Sequence, residues 1–282
     1  MLYWDYNASA PLRPEVADFL ANRLRHTPAA NPSSAHRAGR EARARLYTAR
    51  LRVATRLGCE PRELCFTASG SEGAALAIKG AFLGREDVSR TGVVLSRLEH
   101  RAVRSAAAQL QAHGARVREV APGSDGRVRA EEVLAALGSN VAVCSLMWAN
   151  NETGVLQPVV EVARACRERG ILFHTDAVQA MGKVPVSPHK VDVDLLSFSA
   201  HKFGGPPGVG VLFVRHGVTL QPLVPGTQEG AFVAAPKICR TSRRWRWRLS
   251  LPARNWRWVR PGLRLCATAS SARCSNRSPA SG

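Results

Sequence analysis

In the stretch SFSAHKFGGPPGVGVLFVR, residues 197 to 215, one lysine, Lys202, stands between a histidine and a run of Gly and Pro, with an apolar stretch on either side. An amine in such a setting can attack a carbonyl carbon and form an imine. Four other polar segments carry groups that could work with it. TASGSEG (67 to 73) is a Gly-rich turn leading into a helical pattern, an arrangement that directs free N–H groups and the positive helix end at an anion. LEHRAV (98 to 103) carries His100, a ring able to stack on a flat ligand; WANNETG (148 to 154) carries Asn150 and Asn151; DAVQ (176 to 179) carries Asp176 and Gln179.

Each segment has an ordinary structural explanation as a cap, a turn or a solvated loop. Jointly they describe something narrower. An imine-forming lysine, an acid that can keep a ring nitrogen protonated, an aromatic side chain to stack and a phosphate cradle together make a pyridoxal 5′-phosphate (PLP) site. A carboxylate beside the pyridine nitrogen favours its protonated form.

These groups need a scaffold that brings them to one edge. Short apolar runs predict strands at 63–68, 92–96, 115–120, 141–147, 171–176, 193–199 and 208–214. Amphipathic spacing predicts helices over 73–83, 101–112, 130–137 and 159–169. Strands that read as continuous hydrophobic runs are buried on both faces, so the fold class is α/β with a mainly parallel sheet flanked by helices. Ligands in such sheets bind at the carboxyl ends of the strands, where each polar segment above begins.

Read in order, LEHRAV, MWANNETG, DAVQAMGKVPV and VDLLSFSAHKFGGPPGVGVLFVR closely resemble the cysteine desulfurases, class V aminotransferase-type enzymes of the fold-type I PLP group. WDYNASAPLRPEV, NPSSAHRAGREAR and FTASGSEGAALAIKG extend the likeness from residue 2 to about 231. The resemblance implies that Lys202 bonds to the cofactor and later moves the α-proton. It matches Asp176 to the acid on the pyridine nitrogen, Gln179 to the partner of the phenolic oxygen, and His100 to the stacking ring that assists protonation. Ser199, His201, Gly70 and Ser71 fit phosphate-binding positions. Asn151 lies near cofactor and substrate, and Ala8 and Asn31 fall in segments bordering the substrate pocket. The implied reaction removes sulfur from L-cysteine, leaving L-alanine and an enzyme persulfide for Fe–S cluster or thiocofactor assembly through a sulfur-acceptor or scaffold protein. The implied assembly is a homodimer. A related class V aminotransferase or β-lyase is the alternative within the same group.

The implied organisation is an N-terminal segment (1–12), a PLP-binding large domain (13–231) and a tail (232–282) in place of the family's small C-terminal domain and cysteine-bearing loop. Ser71 replaces a family Thr and keeps its hydroxyl, whereas Ala75 replaces an Asn and does not. Twelve of the 40 Lys and Arg, four of the six Trp and none of the 21 Asp and Glu lie beyond residue 230. The net charge of +19 is therefore concentrated in the tail, and nucleic acid is not the partner expected of the body. Basic residues interleaved with aromatics permit an RNA-binding reading of the tail itself. A frame change explains it better. Pairing each third codon base from Phe232 onward with the first two of the next codon permits Arg-Gly-Gly-Thr-Glu-Asn-Leu-Pro, the continuation the resemblance leads one to expect. The tail is thus predicted to be aberrant and disordered. Seven Cys without paired spacing predict a reduced, cytoplasmic setting and no metal site. Cys59, Cys65, Cys144 and Cys166 read as structural, and no apolar run is long enough for a membrane span.

Overall fold

The computed structural model describes residues 2–27 and 29–224. All seven segments read as strands form one sheet: β1 Leu64–Thr67, β2 Gly92–Ser96, β3 Arg116–Val120, β4 Val141–Ser145, β5 Leu172–Asp176, β6 Leu195–Ser199 and β7 Gly210–Val214. Their spatial order is β1-β7-β6-β5-β4-β2-β3. The pairs from β6 outward to β3 are parallel, and β7 alone runs antiparallel to its two neighbours. This is the mainly parallel mixed sheet anticipated from the buried apolar runs.

Strand alternation separates the two faces. Val93, Leu95, Val143, Leu195 and Leu212 pack with α3 (Gly70–Leu83) and α4 (Arg101–Leu110). Val94, Cys144, Phe173, Leu196 and Phe213 pack with α5 (Ala130–Ala136) and α6 (Val159–Glu168). Only edge strand β3 alternates exposed and covered residues. Two further helices, α1 (Pro14–His26) and α2 (Arg37–Leu57), precede the sheet, and a short α7 (Pro188–Val191) precedes β6. No helix among the described residues is long and apolar enough to cross a membrane. The tail at 232–282 and the end of the expected large domain, 225–231, lie outside the described residues.

Candidate active site

β5 and β6 are parallel neighbours with Asp176 opposite Ser197. Their carboxyl ends therefore deliver Asp176 and Ser199 to one edge of the sheet. The chain then makes a 3-10 turn, Ala200–Lys202, before returning as β7. Gly204 has φ +89, a left-handed conformation that suits glycine, and the Gly205 N–H donates to Ala200 O at 2.9 Å. Lys202 is thereby held beside the edge. On the far side of Asp176, α3 begins at the Ser69 N-cap, whose Oγ accepts from Glu72 N at 3.1 Å.

These elements enclose a cavity of about 590 Å³. Ala8, Gly70, Ser71, His100, Asn151, Asp176, Gln179, Ser199, His201 and Lys202 all line it. Asn31 does not. Its side-chain Oδ1 accepts from Ser33 N at 2.9 Å in the α1–α2 connection, a local turn that takes it out of the lining.

The residues present fit PLP. The first-turn amides of Gly70 and Ser71, which a helix leaves without an intrahelical acceptor, lie at the cavity wall as an anion cradle. A Cβ at Gly70 would lie 2.7 Å from Val178 Cγ2, so the close approach of this helix end needs glycine. Asp176 is buried and its Oδ1 accepts from Val178 N at 2.9 Å. Burial raises its pKa, opposed by that N–H and by the charges of His100 and Lys202. The Lys202 ammonium donates to Asn7 O at 2.6 Å and Ala8 O at 3.0 Å. Burial lowers its pKa, and Lys183 lowers it further, against Asp176 and Asp5. His201 is lowered by burial and by Lys202, and its Nδ1 lies 3.2 Å from Ser9 Oγ. His100 caps α4, its Nδ1 accepting from Ala102 N at 3.1 Å, which leaves Nε2 free of that contact.

Three participants escape a reading of sequence alone. Asn7 folds over the cavity, its carbonyl accepting from both Lys202 and Gln179. Lys183 reaches Gln179 Oε1 at 2.7 Å and Asn7 Oδ1 at 3.0 Å. Glu99, beside His100, is fully buried: its Oε1 accepts from Met147 N at 2.6 Å and Ser96 Oγ at 3.0 Å, and its Oε2 lies 3.3 Å from Ser145 Oγ. Burial and the nearby Asp176 push its carboxyl up to about 8. From Ser145 the chain continues to His174 Nδ1 at 2.9 Å and from His174 Nε2 to Ser197 Oγ at 3.1 Å. Burial lowers His174 to about 3, so this ring is neutral. The lysine four residues after Gln179 was the one legible signal for Lys183; nothing in the residue order marks Glu99 as buried.

The chain matches the aminotransferase class-V family over residues 2–248. It is 43% identical over 230 residues to a cysteine desulfurase of Cereibacter sphaeroides, covering 81% of this chain and 59% of that protein. An IscS-like cysteine desulfurase of Mycobacterium tuberculosis is 40% identical over 231 residues, 80% of this chain and 58% of its own length. The chain thus spans less than two thirds of the curated relatives it matches. Among solved structures, a NifS-like protein superposes with TM-score 0.79 at 36% identity, covering 84% of this chain and 65% of that one. A structure described as SspA in complex with cysteine gives TM-score 0.79 at 33% identity, covering 84% and 68%. With a mainly parallel sheet that carries lysine and aspartate to one cavity, and with these likenesses, the chain belongs to the class-V aminotransferase family.

Proposed function

We propose that this chain carries the PLP-binding core of a cysteine desulfurase, with L-cysteine as substrate. The substrate C–S bond breaks, an acceptor thiol takes the sulfur as a persulfide, and the released carbon gains a proton to give L-alanine. The supporting observation is the joint placement of Lys202, buried Asp176 and the first-turn amides of α3 around one cavity, in a chain 43% identical to a named desulfurase. Delivery of sulfur to Fe–S or thiocofactor assembly, a scaffold or acceptor protein, and a homodimer belong to the same reading.

When bound, PLP supplies a ring that stabilises negative charge at the substrate's α-carbon. The protein's part is binding and proton control. The Gly70 and Ser71 amides would hold its phosphate, and the Asp176 carboxylate would favour a proton on the ring nitrogen. Gln179, whose Nε2 donates to Asn7 O, would offer its remaining N–H to the phenolic oxygen. Lys202 Nζ is oriented by two backbone carbonyls, and its lowered pKa raises the neutral fraction able to attack an aldehyde and afterwards accept a proton. None of the four described cysteines lines the cavity. Cys65, Cys144 and Cys166 are buried, and burial pushes Cys59 up to about 12, against thiolate character. Cys239, Cys266 and Cys274 lie outside the described residues.

The test is to load the full chain with PLP, add L-cysteine with dithiothreitol as thiol acceptor, and measure alanine and sulfide. Equal yields, abolished in Lys202→Ala, are expected. Cofactor loading without alanine would reject the desulfurase assignment and leave a different class V reaction.

A further inference from the structure

Gln179 has a carboxamide whose two ends differ chemically, and which end faces the cavity decides what it can bind. Lys183 settles the choice. An ammonium only donates, so the atom 2.7 Å from Lys183 Nζ must be the amide oxygen, Oε1. The Nε2 end then points the other way and donates to Asn7 O at 2.9 Å. The same ammonium fixes a second carboxamide. Asn7 Oδ1 accepts from Lys183 at 3.0 Å, and Asn7 Nδ2 donates to Asn151 O at 3.3 Å. One cation thus orients two amides and ties residues 5–10 across the cavity, where Ala10 N also donates to His201 O at 2.9 Å. Gly182, with φ +78, makes the reversal that brings Lys183 there, and a Cβ on it would lie 2.9 Å from Phe203 Cβ.

We propose that Lys183 is a positioning residue of this site: it turns the N–H edge of Gln179 toward the cofactor's phenolic oxygen and, by sharing Asn7 with Lys202, holds a second cation beside the reactive amine. The part concerning the oxygen rests on the PLP reading; the part concerning Lys202 does not. The charged groups facing Lys202 are Lys183 on the turn after β5, Asp176 at the end of β5, Asp5 on the N-terminal segment and the neighbouring His201. Lys183 is the cation among them that lowers Lys202, so removing its charge shifts Lys202 toward the ordinary lysine value.

The experiment uses the full chain, Lys183→Met and Lys183→Arg. Competitive labelling with acetic anhydride across pH, read by mass spectrometry on the Lys202 peptide, measures that amine without any cofactor. The titration midpoint is expected to rise by about half to one pH unit in Lys183→Met and to return in Lys183→Arg. PLP affinity, read by absorbance, is expected to weaken about tenfold in Lys183→Met, the loss of one charge-assisted hydrogen bond acting through its partner, and to recover in Lys183→Arg. An unchanged Lys202 midpoint in Lys183→Met overturns the proposal. A shifted midpoint in a chain that takes up no PLP supports the placement of Lys183 beside Lys202 and rejects the cofactor reading.

Discussion

Two carboxyl groups near one cavity, Asp176 and Glu99, are assigned opposite work by their surroundings. Burial raises both; in Asp176 an N–H and the charges of His100 and Lys202 oppose it and the carboxyl faces the cavity, whereas Glu99 is buried outside the cavity lining and is raised further by Asp176. The buried chain continues from Glu99 through Ser145 Oγ, which donates to Glu99 Oε2 at 3.3 Å and lies 2.9 Å from His174 Nδ1, to Ser197 Oγ, 3.1 Å from His174 Nε2. A carboxyl held near 8 when folded and near its usual value when unfolded destabilises the fold. Stability is highest below the unfolded value, falls as pH rises, and levels off above about 8. Glu99→Gln keeps the donor and acceptor pattern, so thermal melts of this variant should lose most of that decline between pH 5 and 8, a gain on the order of a few kcal/mol at the upper end. A decline as steep as in the parent would mean that Glu99 is ionised. Asp176→Asn keeps the acceptor for Val178 N and removes the charge. It should retain PLP but lower turnover by about 100-fold or more, checked by alanine formation at saturating cofactor. At this scale the sequence was informative where residue type names the chemistry, as for Lys202 and Asp176. It was silent where the role depends on burial, as for Glu99, or on a contact across 170 or more positions, as for Asn7 with Gln179.

The segments that deliver these groups hold together through close backbone approach. Gly210 opens β7 opposite Thr67 and Ser199, and a Cβ there would lie 2.4 Å from the Ser69 carbonyl carbon. Because Ser69 caps α3, Gly210→Ala should push the anion cradle outward, lowering stability by about 1–3 kcal/mol and weakening PLP binding together. Thermal unfolding and an absorbance titration would show both losses; a loss of stability alone would separate the strand from the cradle. The strands were legible because six of the seven are almost wholly buried and read as apolar runs, while β3 kept enough alternation at the edge. Helices α3 to α6 were legible from their apolar stripes, although α3 starts three residues before the apolar pattern does, at its Ser69 cap. Helices α1 and α2 were not legible. The first buries nothing, and the second buries only Gly39, Ala54 and Leu57 along 21 residues. α2 is closed instead by capping, with His36 Nδ1 accepting from Gly39 N and Gly58 in the left-handed region, signals that hydrophobic periodicity does not contain.

Across the molecule, the covered sheet contrasts with large apolar side chains left in solvent at the amino-terminal end. Leu2 and Trp4 are 84% and 85% exposed, and Phe19 on α1 is 61% exposed. Scattered exposure of this kind is common, but several such groups within twenty residues favour self-association. Trp4→Ser combined with Phe19→Ser should raise the concentration at which the chain remains monodisperse in light scattering, with PLP affinity unchanged because neither residue lines the cavity. The cofactor-dependent expectations rest on one covalent event at one amine. Mass spectrometry of the full chain after incubation with PLP and hydride reduction tests it directly. A single pyridoxyl adduct on the Lys202 peptide, absent from Lys202→Ala, is the predicted result; no adduct, or one distributed over exposed lysines away from the site such as Lys190, would contradict it.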